Sequence, residues 1–159
     1  MVEEHESMQF RIHQSTDAGS ILQNAEVLGL PDIRKWITKE VLQCYLDLQK
    51  WIGYVALSNT PESKILGIAL MGIEEEGRLW IEALVTDPLS RRKGIATELC
   101  RSMLEYGKKN GSRAIFVDLD NDNPGAFKFY KRFGFENAGR ISHFYYDSTT
   151  AIILAMKIV

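Results

Sequence analysis

Apolar residues along the chain recur at two spacings, every second position or every third and fourth, and the changes between them mark out the elements. Residues 8–14 alternate and predict a strand. Residues 17–28 and 31–50 carry apolar positions at helical intervals, the second stretch opened by Pro31. Three strands follow, 51–58, 64–73 and 78–86, joined by Asn59-Thr60-Pro61-Glu62 and by the Glu74–Gly77 turn, as in an antiparallel meander. Residues 94–110 read as a helix that ends with Lys108 and Lys109 against its C-terminal dipole and Gly111 just beyond. A strand at 114–119, a helix at 124–133 and two closing strands at 135–141 and 151–159 complete the order βααβββαβαββ, an α/β chain with a mixed sheet.

Composition narrows the class. With 159 residues and 45% hydrophobic content the chain can bury a real core but has no room for two full domains, so residues 1–159 are read as one domain. A net charge of −2 argues against non-specific nucleic-acid binding, which needs a basic face on a basic domain. No apolar run approaches the roughly 20 residues of a membrane span, and the opening Met-Val-Glu-Glu-His-Glu-Ser-Met-Gln-Phe is acidic and polar rather than a signal peptide. A cytoplasmic protein without a membrane partner is expected. Cys44 and Cys100 lack metal-ligand spacing and fall in helical apolar patterns, so both are expected to be reduced core residues, with no metal bound.

Positive charge concentrates at one junction, where the apolar strand 79–86 passes through Arg91, Arg92, Lys93 and Gly94 into Ile95, Ala96 and Thr97 at a helix start. Amides in a first helical turn point outward unpaired, and the dipole adds about half a positive charge, so an anion docks there without a dedicated side chain. Gly94 has no Cβ to obstruct a phosphate and tolerates positive φ. The order Lys93-Gly94-Ile95 does not fit a P-loop, which requires Ser or Thr after Gly-Lys, and one glycine does not make a dinucleotide fingerprint.

What remains, Arg91-x-x-Gly94-x-Ala96, resembles the acyl-CoA pyrophosphate loop of the GNAT acetyltransferase superfamily. A second segment strengthens the resemblance. Asn123, Ala126, Phe129, Tyr130, Gly134 and Phe135 fit the superfamily pattern Asn-x-x-Ala-x-x-Phe-Tyr-x-x-x-Gly-Phe at fixed spacing and in the right order. Helix capping by Asn123, Pro124 and Gly134 accounts for part of this segment and does not require Tyr130. The element order also matches the superfamily fold over nearly the whole chain.

The resemblance implies acetyl-CoA as cosubstrate and transfer of its acetyl group to a primary amine by direct attack. Arg91, Arg92, Lys93, Gly94, Ile95, Ala96 and Thr97 would surround the pyrophosphate. Leu84, Val85 and Thr86 would pair their main chain with the pantetheine arm, Asn123 would hydrogen-bond it, and Phe129, Lys131 and Arg132 would extend the contact toward the nucleotide. A backbone N–H near Val85 would serve as oxyanion donor.

An alkyl ammonium with a pKa near 10.4 is no nucleophile, and a departing thiolate benefits from a proton, so the chemistry calls for a base and an acid. Glu82 is the expected base, as the charge on a strand face shared with Trp80, Leu84 and Thr86; the alternative is a solvated carboxylate at a strand edge, with His143 or a water chain taking the proton. Tyr130 matches the superfamily tyrosine that donates to the CoA sulfur, or else it is a core aromatic like Phe127, Phe129 and Phe133.

For the acceptor, residues 139–156 are similar to the closing hairpin of the bacterial ribosomal-protein N-terminal acetyltransferase branch, with Tyr145 and Tyr146 at an acceptor channel or simply as strand residues. A protein or peptide amine is the expected acceptor. A polyamine, amino acid or aminoglycoside is the alternative, and an acyl-CoA-binding regulatory module with little turnover is the reading from a different class. Whether the chain forms a homodimer stays open.

Overall fold

A computed structural model describes residues 9–145 and 149–158. The elements are β1 (Phe10–Ser15), α1 (Ala18–Leu28), α2 (Ile33–Trp36), α3 (Lys39–Asp47), β2 (Trp51–Ser58), β3 (Ile65–Ile73), β4 (Leu79–Thr86), α4 (Ile95–Lys109), β5 (Ala114–Asp120), α5 (Pro124–Phe133), β6 (Glu136–Ile141) and β7 (Ala151–Lys157). Short 3-10 turns occupy Glu75–Gly77 and Pro88–Ser90. The strands form one sheet in the order β1-β2-β3-β4-β5-β7-β6, in which β4 and β5 run parallel and the other neighbours antiparallel.

Each sheet face buries its own core. On one face α4 and α5 cover Met71, Leu79, Ile81, Ile115 and Val117, with Leu99, Met103 and Phe135 packed between. On the other, Ile21 and Leu22 of α1 and Leu42 and Leu46 of α3 cover Val55, Ile68, Leu70 and Ala83. The Tyr145–Tyr146 pair is only half visible, since Tyr146 lies outside the described residues, as do Met8 and Val159 at the ends of the outer strands.

The helix expected over 31–50 is two helices. Ile37 is extended (φ −149°, ψ 132°), and Thr38 begins α3 by accepting a hydrogen bond from the Val41 amide through its hydroxyl at 3.3 Å. The reason lies in the spacing: Ile33 and Ile37 are four apart and Leu42 and Leu46 are four apart, but Ile37 and Leu42 are separated by five, which one continuous helix would rotate off a common face. The break lets all four bury. Thr38→Ala should therefore destabilise the domain by about 1 kcal/mol, the usual cost of losing an N-cap, as read from urea unfolding midpoints.

Cys100 is buried as expected, but Cys44 is exposed. The apolar stripe of α3 is narrow, and Cys44, two residues from both Leu42 and Leu46, falls on the opposite side of the helix.

Candidate active site

The site is organised by a fork in the sheet. The parallel pairing of β4 and β5 consists of Leu79 with Ile115, Trp80 with Phe116 and Ile81 with Val117. Beyond those pairs β4 continues to Thr86 and β5 to Asp120, the latter held to Ala151 of β7 rather than to β4. Among the described residues no strand pairs with the facing edge of β4 from Glu82 onward, an edge that can take an inserted extended chain.

Which backbone groups face that gap follows from the ladder on the other edge. The Asp87 amide donates to the Leu66 carbonyl at 2.8 Å, and Leu66 and Asp87 lie in register with the pairs Gly67–Thr86, Ile68–Val85 and Ala69–Leu84. Hydrogen-bonded pairs alternate in an antiparallel ladder, so Val85 turns its N–H and C=O toward β3, while Leu84 and Thr86 turn theirs into the fork. The amide best placed to meet an oxyanion near Val85 therefore belongs to Leu84 or Thr86.

A β-bulge sits at the same place. Leu70 pairs with Ala83 and Met71 with Ile81, leaving Glu82 as the extra residue in β4. The bulge reverses the alternation: Leu79 and Ile81 face the α4 core, Ala83 and Val85 face the α1 core, and Leu84 packs with the α4 group. The expectation that Trp80, Glu82, Leu84 and Thr86 share one face is thereby corrected. Glu82 does lie on the Trp80 side, where a Cβ built on Gly72 would stand 2.9 Å from its Oε1 and 3.1 Å from the Trp51 indole nitrogen. Burial, with Asp118 and then Glu74 adding to it, pushes the Glu82 carboxyl up to about 7 from an ordinary 4.5.

The basic turn lies at the end of β4. Asp87 opens the Pro88–Ser90 turn, accepting from the Leu89 amide at 3.2 Å and the Ser90 hydroxyl at 3.0 Å. Arg91, Arg92, Lys93 and Gly94 are exposed, and the chain passes through left-handed conformations at Arg92 (φ 68°) and Gly94 (φ 80°). The first bond of α4 runs from the Glu98 amide to the Gly94 carbonyl at 3.0 Å, so the amides of Ile95, Ala96 and Thr97 precede it unpaired within the helix. Side chains cap α1, α3 and α5, through Asp17, Thr38 and Asn123, whereas no side chain caps α4. A Cβ on Gly94 would meet nothing within 4 Å, which leaves open space over these donors. This exposed, cationic, donor-rich turn fits a pyrophosphate.

On α5, the Oδ1 of Asn123 caps the helix through the Ala126 amide at 3.1 Å, leaving its Nδ2 for a ligand. Tyr130 is 4% exposed and meets the rings of Phe129 and Phe135 edge-on at 5.1 and 5.2 Å. Burial, then the Cys100 thiol and Asp118 nearby, hold its phenol well above 10. The thiol is itself raised to about 12 by burial. A groove between α4 and α5 is lined by Thr97, Arg101, Lys128, Phe129 and Arg132 among others. Lys128 and Arg132 are four apart and share this face, whereas Lys131 does not line it. Arg101 and Lys128, which the motifs do not include, could have been found from their four-residue offsets to Thr97 and Arg132. His143 is exposed in a turn, with φ 55°.

The model of the acetyltransferase (GNAT) family matches residues 8–135. Among curated proteins, the chain is 28% identical over 136 residues to N-alpha-acetyltransferase 30 of Schizosaccharomyces pombe, covering 77% of this chain and 87% of that protein. It is 22% identical over 106 residues to spermine/spermidine N(1)-acetyltransferase of Bacillus subtilis, covering 62% and 70%. For another relative the matched region spans as little as 30% of that protein's length. Among solved structures, a GNAT family acetyltransferase from Elizabethkingia anophelis with acetyl-CoA bound superposes with a TM-score of 0.74 at 18% identity, covering 94% of this chain and 98% of that one.

Proposed function

The chain belongs to the acetyltransferase (GNAT) family, and from that premise we propose that it transfers the acetyl group of acetyl-CoA to the primary amine of a protein or peptide by direct attack. The observation that carries this reading is the fork beyond Ile81 and Val117, which has Glu82 at its base and the uncapped start of α4 at the end of the same strand. Acetyl-CoA supplies an activated thioester when bound. The turn Arg91–Thr97 holds its phosphates, the free edges of Leu84 and Thr86 align its arm, and Arg101, Lys128 and Arg132 add positive charge along the α4–α5 groove.

Glu82 accepts a proton from the acceptor ammonium, whose pKa near 10 keeps it protonated at neutral pH; the freed amine forms the N–C bond, the C–S bond breaks, and the second proton shed by the nitrogen ends on the departing CoA sulfur. A carboxyl near 7 suits that task, being largely ionised just above neutrality and more basic than an ordinary glutamate. Tyr130 acts at the sulfur. A phenol held well above 10 is a weaker acid than a thiol near 8.5, so its O–H stabilises the thiolate mainly by hydrogen bonding, without complete transfer of the proton.

An N-terminal amine is favoured by the match over most of both chains to an N-alpha-acetyltransferase. A polyamine is the second reading, supported by the carboxylates Glu74, Glu82 and Asp118 near the fork and by the spermine/spermidine relative. Gly94→Glu tests the cosubstrate site. The new side chain would occupy the space over the α4 amides with the wrong charge, and the left-handed backbone would add about 1 to 2 kcal/mol of strain. Calorimetry should show acetyl-CoA binding abolished while circular dichroism is retained. Parental affinity in that variant would remove the turn from the site.

A further inference from the structure

Asp118 is absent from the motifs above, yet it stands on β5 immediately after Val117, the last residue paired with β4. Both its oxygens are engaged. Oδ1 accepts from the indole N–H of Trp80 at 2.7 Å, and Oδ2 accepts from the hydroxyl of Tyr145 at 2.9 Å. Trp80 comes from β4 and stacks on Phe116 at 5.5 Å between ring centres, while Tyr145 comes from beyond β6 and meets Phe144 edge-on at 5.1 Å. One carboxylate thus ties together β4, β5 and the chain following β6.

A carboxylate at this position acts on two neighbours. It faces Glu82 on β4, itself faced by Glu74, and it faces the Tyr130 phenol on α5, which also has Cys100 beside it; in both cases its effect opposes ionisation. A neutral side chain with one acceptor could also take the indole N–H, through a weaker bond, so the hydrogen bond alone does not require a charge between two such groups. Tyr130, 4% exposed, makes no side-chain hydrogen bond with a described residue, and Asp118 is one of the charges that act on its phenol. The two bonds to Asp118 come from opposite flanking elements and hold the carboxylate in one orientation.

We propose that Asp118 is a positioning residue of the transfer reaction, fixing Trp80 and Tyr145 as the acceptor-side wall of the fork and setting the electrostatic environment of Glu82. The proposal rests on the transferase reading above.

Two variants separate its parts. Tyr145→Phe removes the tie and leaves the charge; Asp118→Asn removes the charge but can still accept from the indole and donate to the Tyr145 oxygen. With whichever of a free-amine peptide panel or spermidine the parent acetylates, Tyr145→Phe should raise the acceptor KM about tenfold, leaving the acetyl-CoA KM and the pH profile unchanged. Asp118→Asn should move the acidic limb of kcat/KM down by about one pH unit and keep the acceptor KM within about threefold. A parental acceptor KM in the first variant, or an unmoved limb in the second, overturns the proposal. So does loss of the limb together with turnover at every pH in Asp118→Asn, which would make Asp118 the base.

A readout without turnover keeps the failure of this proposal distinct from failure of the transferase reading. The nitrogen-15 indole signal of Trp80, assigned by its disappearance in Trp80→Phe, should shift upfield in the proton dimension in Asp118→Asn as a charge-assisted bond becomes a neutral one. An unmoved signal overturns the anchor even if no acceptor is found, and a shifted one supports it.

Discussion

Tyr130→Phe is expected to lower turnover by roughly 10²- to 10⁴-fold while leaving acetyl-CoA affinity within about twofold of the parent. The substitution keeps the ring that packs edge-on against Phe129 and Phe135 and removes only a hydroxyl with no described hydrogen-bond partner. The fold should therefore not suffer, and thermal unfolding should show a midpoint close to that of the parent, because no hydrogen bond to a described residue is lost. Rapid-quench measurements place the loss in the chemical step. Full turnover in the variant would return Tyr130 to the status of a core aromatic.

Glu82→Gln should have the next largest effect, and its signature is the pH profile. With the carboxyl raised to about 7, the parent loses activity as pH falls through 7 and the base becomes protonated. The Gln variant should lack that limb, with a rate depressed by roughly 10²-fold at neutrality and recovering as the pH approaches the pKa of the amine itself. Stability gives an independent check of sign. The folded-state value lies above the unfolded one of about 4.5, so the carboxyl binds its proton more tightly in the fold. Its contribution is fully present below pH 4.5, declines as pH rises and is lost above 7. Glu82→Gln should raise the stability at pH 8 relative to the parent, by an amount on the order of 2 kcal/mol, and should change it little at pH 4. A gain of equal size at both pH values would point to packing rather than desolvated charge.

The mixed sheet, the order of elements and the helix starts were legible in the sequence because each rests on local signals: alternation in the strands, Gly94 before α4, and Asn123-Pro124 at the start of α5. The desolvated placement of Glu82 was legible for a different reason, as a lone charge in an apolar strand, and the place of Tyr130 on α5 followed from its offset to Asn123. The bulge at Glu82 was not. A bulge is a property of two strands in register, and the reading along β4 alone assigned Leu84 to the wrong face. Asp118 was missed for the same kind of reason, since its partners Trp80 and Tyr145 lie 38 and 27 residues away. The break at Ile37 was present in the five-residue step between Ile37 and Leu42 and was hidden by the apolar density on both sides. Cys44 was misplaced because a short amphipathic helix buries only the narrow stripe of Leu42 and Leu46.

Mass spectrometry of a library of free-amine peptides, with spermine and spermidine included, incubated with the protein and acetyl-CoA tests the proposed reaction most directly. The expected result is acetylation at the α-amine of a subset of peptides, CoA released in equal amount, no acetyl group left on the protein, and all of it lost in Gly94→Glu. Tight binding of acetyl-CoA with no acceptor acetylated anywhere in the panel would contradict the transferase and leave a module that only binds acyl-CoA.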